Sequence, residues 1–140
     1  MVEMLVVFVV FAILVAAIVP VVSNFMPGVK LTGASRDLLS SLREVQEIAI
    51  TEQNQLLVRF DLAASPKNYK LIRKIGAVET TLRQKNIPED ISITLDPTIT
   101  SSQVVFSPDG GPSCSGNITL TAGAKSKIVS VSPAGYLKIE

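Results

Sequence analysis

Residues Glu3 to Val22 read EMLVVFVVFAILVAAIVPVV: one carboxylate, then nineteen residues, Met4 to Val22, without a charge. Coiled into a helix, that run is about 28 Å long at about 1.5 Å per residue, close to the thickness of a hydrocarbon core of roughly 30 Å. A carboxylate at its edge is costly to bury, by about 2.5–3.5 kcal/mol on insertion scales, and so asks for a partner. No basic residue precedes the run and no small-residue cleavage site in a polar setting follows it, which argues against a secretory signal. A single-pass anchor accounts for the hydropathy alone. It does not account for Glu3.

Outward from this segment the chain changes character. Of 140 residues, those beyond the run suffice for one small domain with its own core. Thirteen basic residues against twelve acidic ones give a net charge of +1, so no global field selects nucleic acid or acidic substrates. Histidine is absent and cysteine occurs once, at Cys114, which excludes an intrachain disulfide and removes the commonest general base. There is no Gly-x-Ser-x-Gly and no phosphate-cradling loop, so no nucleophile and base can be paired. The chain reads as a protein without catalysis and without a cofactor or metal.

Pro20, Pro27-Gly28 and Gly33 predict a break in helix between Pro20 and Gly33, dividing the chain into an apolar N-terminal helix, 1–33, and a globular domain, 34–140. Ser35 is placed to cap a new helix over 35–53, with Asp37 in its first turn. Leu38, Leu42, Val45 and Ala49, flanked by Leu39 and Ile48, form its apolar stripe; Arg36, Arg43, Glu44, Glu47 and Glu52 form a solvated face. After Gln53-Asn54 the period becomes two. Strands are expected at Leu56–Leu62, Tyr69–Ile75, Val78–Leu82, Ile91–Leu95, Val104–Ser107, Ile118–Ala122, Ile128–Ser132 and Tyr136–Ile139, separated by Pro-, Gly- and Asn-rich turns. The class is α+β: a long N-terminal helix packed on one antiparallel sheet, or on two small ones.

Glu3 at the head of an apolar helix, with Pro20 seventeen residues later, resembles the N-terminus of type IV pilins. In that family Phe-Thr-Leu usually stands before the glutamate; here only Met1-Val2 do, as though the leader and about two residues of the usual start were missing or Met1 replaced them. The glycine often found between glutamate and proline is absent, with Ala12 near its place. The run from Leu42 to Asp61 is similar to the helix-to-first-strand passage of FimT- and GspH-like pseudopilins. Val105-Phe-Ser-Pro-Asp-Gly110 and Ile128-Val-Ser-Val-Ser-Pro-Ala-Gly135 are similar to that subfamily's two late strand-turn signatures.

The resemblance implies a structural subunit of a type IV pilus-like or type II secretion-like filament. Glu3 would pair with the amino group of Met1 in a neighbouring copy and fix axial register. Ala12, Ala16 and Ala17 would let helices approach closely, and melting near Pro20 would let subunits lengthen. Implied partners are further copies in a helical homo-oligomer, membrane lipid before assembly, an inner-membrane assembly machine and a prepilin peptidase, with N-terminal methylation. The protein would sit in the inner membrane and then in a periplasmic or extracellular filament, as a major or a minor subunit.

Two other functions compete. One is DNA uptake by a minor pseudopilin: Lys67, Lys70, Arg73 and Lys74, with Arg83 and Lys85, form a modest basic cluster. The subfamily's DNA-binding members carry arginines after a late glycine, whereas this chain ends Gly135-Tyr-Leu-Lys-Ile-Glu140, a poor phosphate-binding set. The other is a lone membrane-anchored binding module, which has no need of Glu3. Asp109-Gly110-Gly111 reads as a turn, Asn117-Ile118-Thr119 as a chance sequon, and Cys114 as a passive loop thiol.

Overall fold

A computed structural model describes the backbone from Val2 to Glu140, and the side chains of these residues apart from 17–24. One α-helix, α1, spans Val2–Glu52. The expected break is therefore not found over 25–33, which is helical throughout. The expectations placed on Met1 and on the side chains of Ala17 and Pro20 lie outside the described residues.

The helix continues across Gly28 and Gly33 because its two halves are stitched and docked there. Each glycine costs about 1 kcal/mol of helix, but restarting a helix at Ser35 would cost a nucleation factor of about 10⁻³. Leu31 is already buried in the core and holds this portion in place. Thr32 donates its hydroxyl to the Gly28 carbonyl (2.9 Å), and Ser35 donates to the Thr32 carbonyl (3.0 Å). Ser35 is thus not an N-cap: it is fully buried within the helix and bonds back one turn. The C-terminus does end where turn chemistry places it. Gln53 adopts a left-handed φ of 54°, and its side-chain amide donates to the Ile50 carbonyl (2.7 Å) while that of Asn54 donates to Glu52 (3.0 Å).

Eight strands follow: β1 Gln55–Asp61, β2 Asn68–Ile75, β3 Val78–Asn86, β4 Ser92–Leu95, β5 Gln103–Phe106, β6 Gly116–Ala122, β7 Lys125–Val131 and β8 Leu137–Ile139. They form two four-stranded antiparallel sheets, ordered β3-β2-β1-β5 and β4-β6-β7-β8. Of the two arrangements left open by the sequence, the two-sheet one is observed. Strand β3 runs four residues beyond the expected Leu82. That extension pairs with β2 and is almost wholly exposed, so it carries no hydrophobic alternation to read.

One face of α1 closes both sheets. Leu31, Leu38, Leu42, Val45 and Ala49 are buried against Leu56, Val58 and Phe60 of β1, Leu71 of β2, Val104 and Phe106 of β5, and Ile118, Leu120, Val129, Val131 and Leu137 of the second sheet. The predicted helical stripe is thus the spine of a single core, and Leu31 extends it about two turns earlier than the periodicity indicates. The outer face of the first sheet is braced separately. Arg59 on β1 reaches across β2 to Glu79 on β3 through two parallel hydrogen bonds of 3.0 Å, over the face that also carries the buried pair Leu57 and Ile72.

Candidate assembly site

Helix α1 is two things in one element. From Leu31 to Ala49 it supplies the spine of the core; from Val2 to Ala16 every residue is exposed in the isolated chain, on all faces. Phe8 is 72% exposed, Phe11 64% and Ile13 63%. A helix hydrophobic all round is stable only when surrounded by other apolar groups, and the β domain supplies none to this half. Glu3 lies in its first turn, where the helix dipole favours a carboxylate. Ala12 and Ala16, four apart on one face, are both exposed; they offer a shallow strip for close approach of another helix. Among the described residues no helical window is long and apolar enough to cross a membrane; the uncharged run itself extends through 17–22, whose side chains are not described.

The helix leaves the domain beside a rim that the sequence did not mark. Phe25, Met26 and Val29 are exposed at 68%, 52% and 66%. Around them stand Lys30, paired with Asp90 (2.5 Å), and Lys125, whose side chain lies across Gly28. An open groove of about 500 Å³ is lined by Phe25, Gly28, Val29, Thr32, Arg36 and Lys125. The only early sign of this was the recurrence of glycine at 28 and 33, read as breakers rather than as room for a neighbour.

The basic cluster proposed from the sequence is dispersed. Arg73 donates to Glu52 in the last turn of α1 (2.5 Å), Arg83 to Glu44 on the same helix (3.2 Å), and Lys70 faces Asp61 (3.6 Å). Arg73, level with buried Leu56, and Lys70, level with Arg59, sit on opposite faces of the sheet. Lys67, Lys74 and Lys85 have no ion pair among the described residues. Arg73 and Arg83 clamp the first sheet to the helix, Lys70 pairs within the sheet, and the six cations do not converge on one phosphate-sized site.

Other chemistry in the domain is structural. Burial pushes the Cys114 thiol up from its ordinary value, which leaves little thiolate. Asp96 is held below the usual carboxylate range by hydrogen bonds from the Thr98 backbone and hydroxyl, a turn closed on itself. Among the described residues no three His, Cys, Asp or Glu side chains are grouped to hold a metal. The polar residue that sequence reading missed is Gln46. Its side-chain amide donates to the carbonyls of Gly110 (2.8 Å) and Gly135 (3.0 Å), tying two distant turns to the helix. Gln46 lies four residues after Leu42, at the edge of the apolar stripe, and that position was its one signal.

Comparisons with known proteins agree with this architecture. A family model described as type II transport protein GspH matches residues 34–135. The crystal structure of the type IV minor pilin FimU of Pseudomonas aeruginosa is similar, with a TM-score of 0.68 at 14% identity, covering 83% of this chain and 92% of that one. The minor pseudopilin EpsH from the type 2 secretion system of Vibrio cholerae gives a TM-score of 0.68 at 11% identity, covering 79% of this chain and 96% of that one. No curated protein matches by sequence. At such identities the solved structures show a shared fold; the family match shows kinship. The family and fold are those of structural pilins rather than enzymes. The chain is a type IV pilin-like protein and belongs to the GspH family of type II transport proteins.

Proposed function

We propose that this protein is a membrane-inserted subunit that assembles, through the N-terminal half of α1, into a pilus or type II secretion pseudopilus. The observation that carries the reading is the division of α1: one half is core, the other exposes apolar side chains on every face from Val2 to Ala16. Before assembly, lipid would solvate that half; afterwards, the same residues of neighbouring copies would. Exchange of one apolar surrounding for another costs little, so a subunit can be extracted by an ATP-driven machine outside this chain. Small residues Ala12 and Ala16, and Ala17 by sequence, would set how closely helices approach.

Glu3 supplies what apolar packing lacks. Sliding one greasy helix along another changes little energy, whereas a carboxylate left unpaired in a dry bundle is heavily penalised. Pairing with the Met1 amine of an adjacent copy would select one axial offset. A prepilin peptidase that exposes the amine, and an inner-membrane platform, are the partners this reading requires. The lone anchored module is the competing reading, and Glu3 separates the two. Glu3→Ala should leave the chain resistant to alkaline extraction from membranes yet abolish filaments seen by electron microscopy. Ordinary filaments from that variant would refute the register role.

A further inference from the structure

The rim where α1 leaves the β domain carries charge that neither the core nor the apolar half uses. The β6–β7 turn, Ala122-Gly123-Ala124-Lys125, lies beside Met26, Pro27 and Lys30, together with Asp90 from the loop before β4. These are the parts of the domain nearest the apolar run. At about 1.5 Å per residue, Phe25 and Met26 stand roughly 5 Å beyond Val22, and Gly28 to Lys30 roughly 9–12 Å. The headgroup layer on each side of a bilayer is about 5–7 Å deep. Exposed Phe25 and Met26 therefore fall in that layer, while Val29, Lys30 and Lys125, level with Gly28, stand a few ångström above it, within reach of a lysine side chain.

The sign of the rim is positive. Lys125 and Lys127 share the face of β7 that carries Val129 and Val131, turned towards α1, and Arg36 lines the same groove as Lys125. Asp90 answers Lys30. Asp37 lies elsewhere, in the cleft lined by Tyr69 and Lys85. Among the described residues Lys125 and Lys127 have no carboxylate partner. Gly123, at the turn's apex with a φ of 60°, has no described atom within 4 Å of where a Cβ would stand, so among the described residues that side of the tip is open.

We propose that this rim, Lys125 foremost, docks the β domain on anionic lipid headgroups of the leaflet from which it projects. The inference rests on the membrane-inserted reading above. Exposed apolar side chains on α1, with the uncompensated Lys125 of β7 standing about one turn above Phe25 at the level of Gly28, match a surface that is apolar below and anionic above. In the pre-assembly state such docking would hold the domain down against the bilayer, covering the groove along Gly28 and Gly33 until extraction.

The test uses the full chain, reconstituted into vesicles of phosphatidylcholine alone or mixed with phosphatidylglycerol. In a Cys114→Ser background, a fluorophore on Ala124→Cys reports the rim and one on Ala77→Cys, in the β2–β3 turn, reports the far end; headgroup spin-labelled lipid is the quencher. Quenching at 124 should be stronger in the anionic vesicles, weaken with salt, and be absent at 77. Lys125→Gln should shift the docked fraction about fivefold down and Lys125→Gln/Lys127→Gln further, while Lys125→Arg retains it. Equal quenching in both lipids, or no response to Lys125→Gln, overturns the proposal alone. A chain stripped from the vesicles by alkaline carbonate overturns this proposal and the membrane-inserted reading together.

Discussion

Ser41 on α1 and Tyr69 on β2 place their hydroxyl oxygens 3.3 Å apart in the buried seam between the helix and the first sheet. Both side chains are almost wholly removed from water, Ser41 at 0% and Tyr69 at 4% exposure. Neither can find a solvent partner there, so each is the other's means of satisfaction. Burial raises the Tyr69 phenol above its ordinary value of 10.0, against a smaller lowering from the Ser41 hydrogen bond; Asp37 and Glu44 add to the rise.

That shift sets an alkaline limit. With the folded pKa raised, the native state keeps the phenolic proton where the unfolded chain has lost it, so this contribution is whole below pH 10.0 and is lost as pH climbs through the folded value. Denaturant midpoints of the wild type should fall above pH 10.0 more steeply than those of Tyr69→Phe. At neutral pH the same variant should cost about 1 kcal/mol for the lost hydrogen bond. Parallel alkaline slopes would deny the seam this role.

The Arg59–Glu79 fork sets a milder acid limit. Hydrogen bonds from Arg59 hold the Glu79 carboxyl below its ordinary value of 4.5. A lowered folded pKa gives stability that is present above pH 4.5 and lost as pH falls through the folded value. Glu79→Gln should therefore be slightly less stable than wild type at neutral pH and converge with it in acid. Both groups are well solvated, so the effect should be small and weaken with salt. A gap between the two proteins that widens in acid would contradict this account.

Gln46 predicts a loop phenotype. Gln46→Leu keeps the helix and the approximate volume but removes both donors, at about 1–2 kcal/mol. The amides of Gly110 and Gly135, bonded to Ser107 and Ser132 in their own turns, should then exchange with deuterium faster while β1 and β2 do not change. Gly135→Ala should be worse. Its φ of 82° disfavours any side chain, and a Cβ there would stand 3.0 Å from the Gln46 amide and 3.2 Å from the Gly110 carbonyl. Unaltered exchange in Gln46→Leu would show that the turns hold themselves.

The two halves of α1 should respond oppositely to truncation. Leu42→Ala opens a cavity at a fully buried site and should cost about 2–5 kcal/mol, read as a lower melting temperature. Val7→Ala, half-exposed in the isolated chain, should leave melting in detergent unmoved while weakening filament assembly. Equal melting losses from both would mean that the N-terminal half packs on its own domain.

Why some of this was legible and some not follows from range. The stripe Leu38, Leu42, Val45 and Ala49, the alternation in β6, and the turns at Pro108 to Gly111 and Pro133 to Gly135 are local patterns, and the structure keeps them. Partition into two sheets depends on β1 pairing with β5 and β4 with β6, contacts that no period records. Helix continuity past Gly28 and Gly33 depends on Leu31 reaching the core, a tertiary effect that overrides local propensity. The site divides the same way. Glu3, Ala12 and Ala16 stand out in the sequence because charge and small size interrupt an apolar run, and their roles are those proposed above; Gln46 and Lys125 stand out only through what distant turns bring to them.

The single helix from Val2 to Glu52 has a further consequence, of phase. With about 3.6 residues per turn, each residue rotates the axis by about 100° and advances it by about 1.5 Å. Whatever azimuth the apolar half takes among its neighbours thereby dictates which side of the β domain faces outward. Inserting one alanine after Met26 would swing the domain about a quarter turn without touching a core residue. Inserting four would nearly restore the heading while lifting the domain about 6 Å. In the assembly proposed above the helix would work as a keyed shaft, with the decoration of a filament's outer surface encoded in the count of residues inside it.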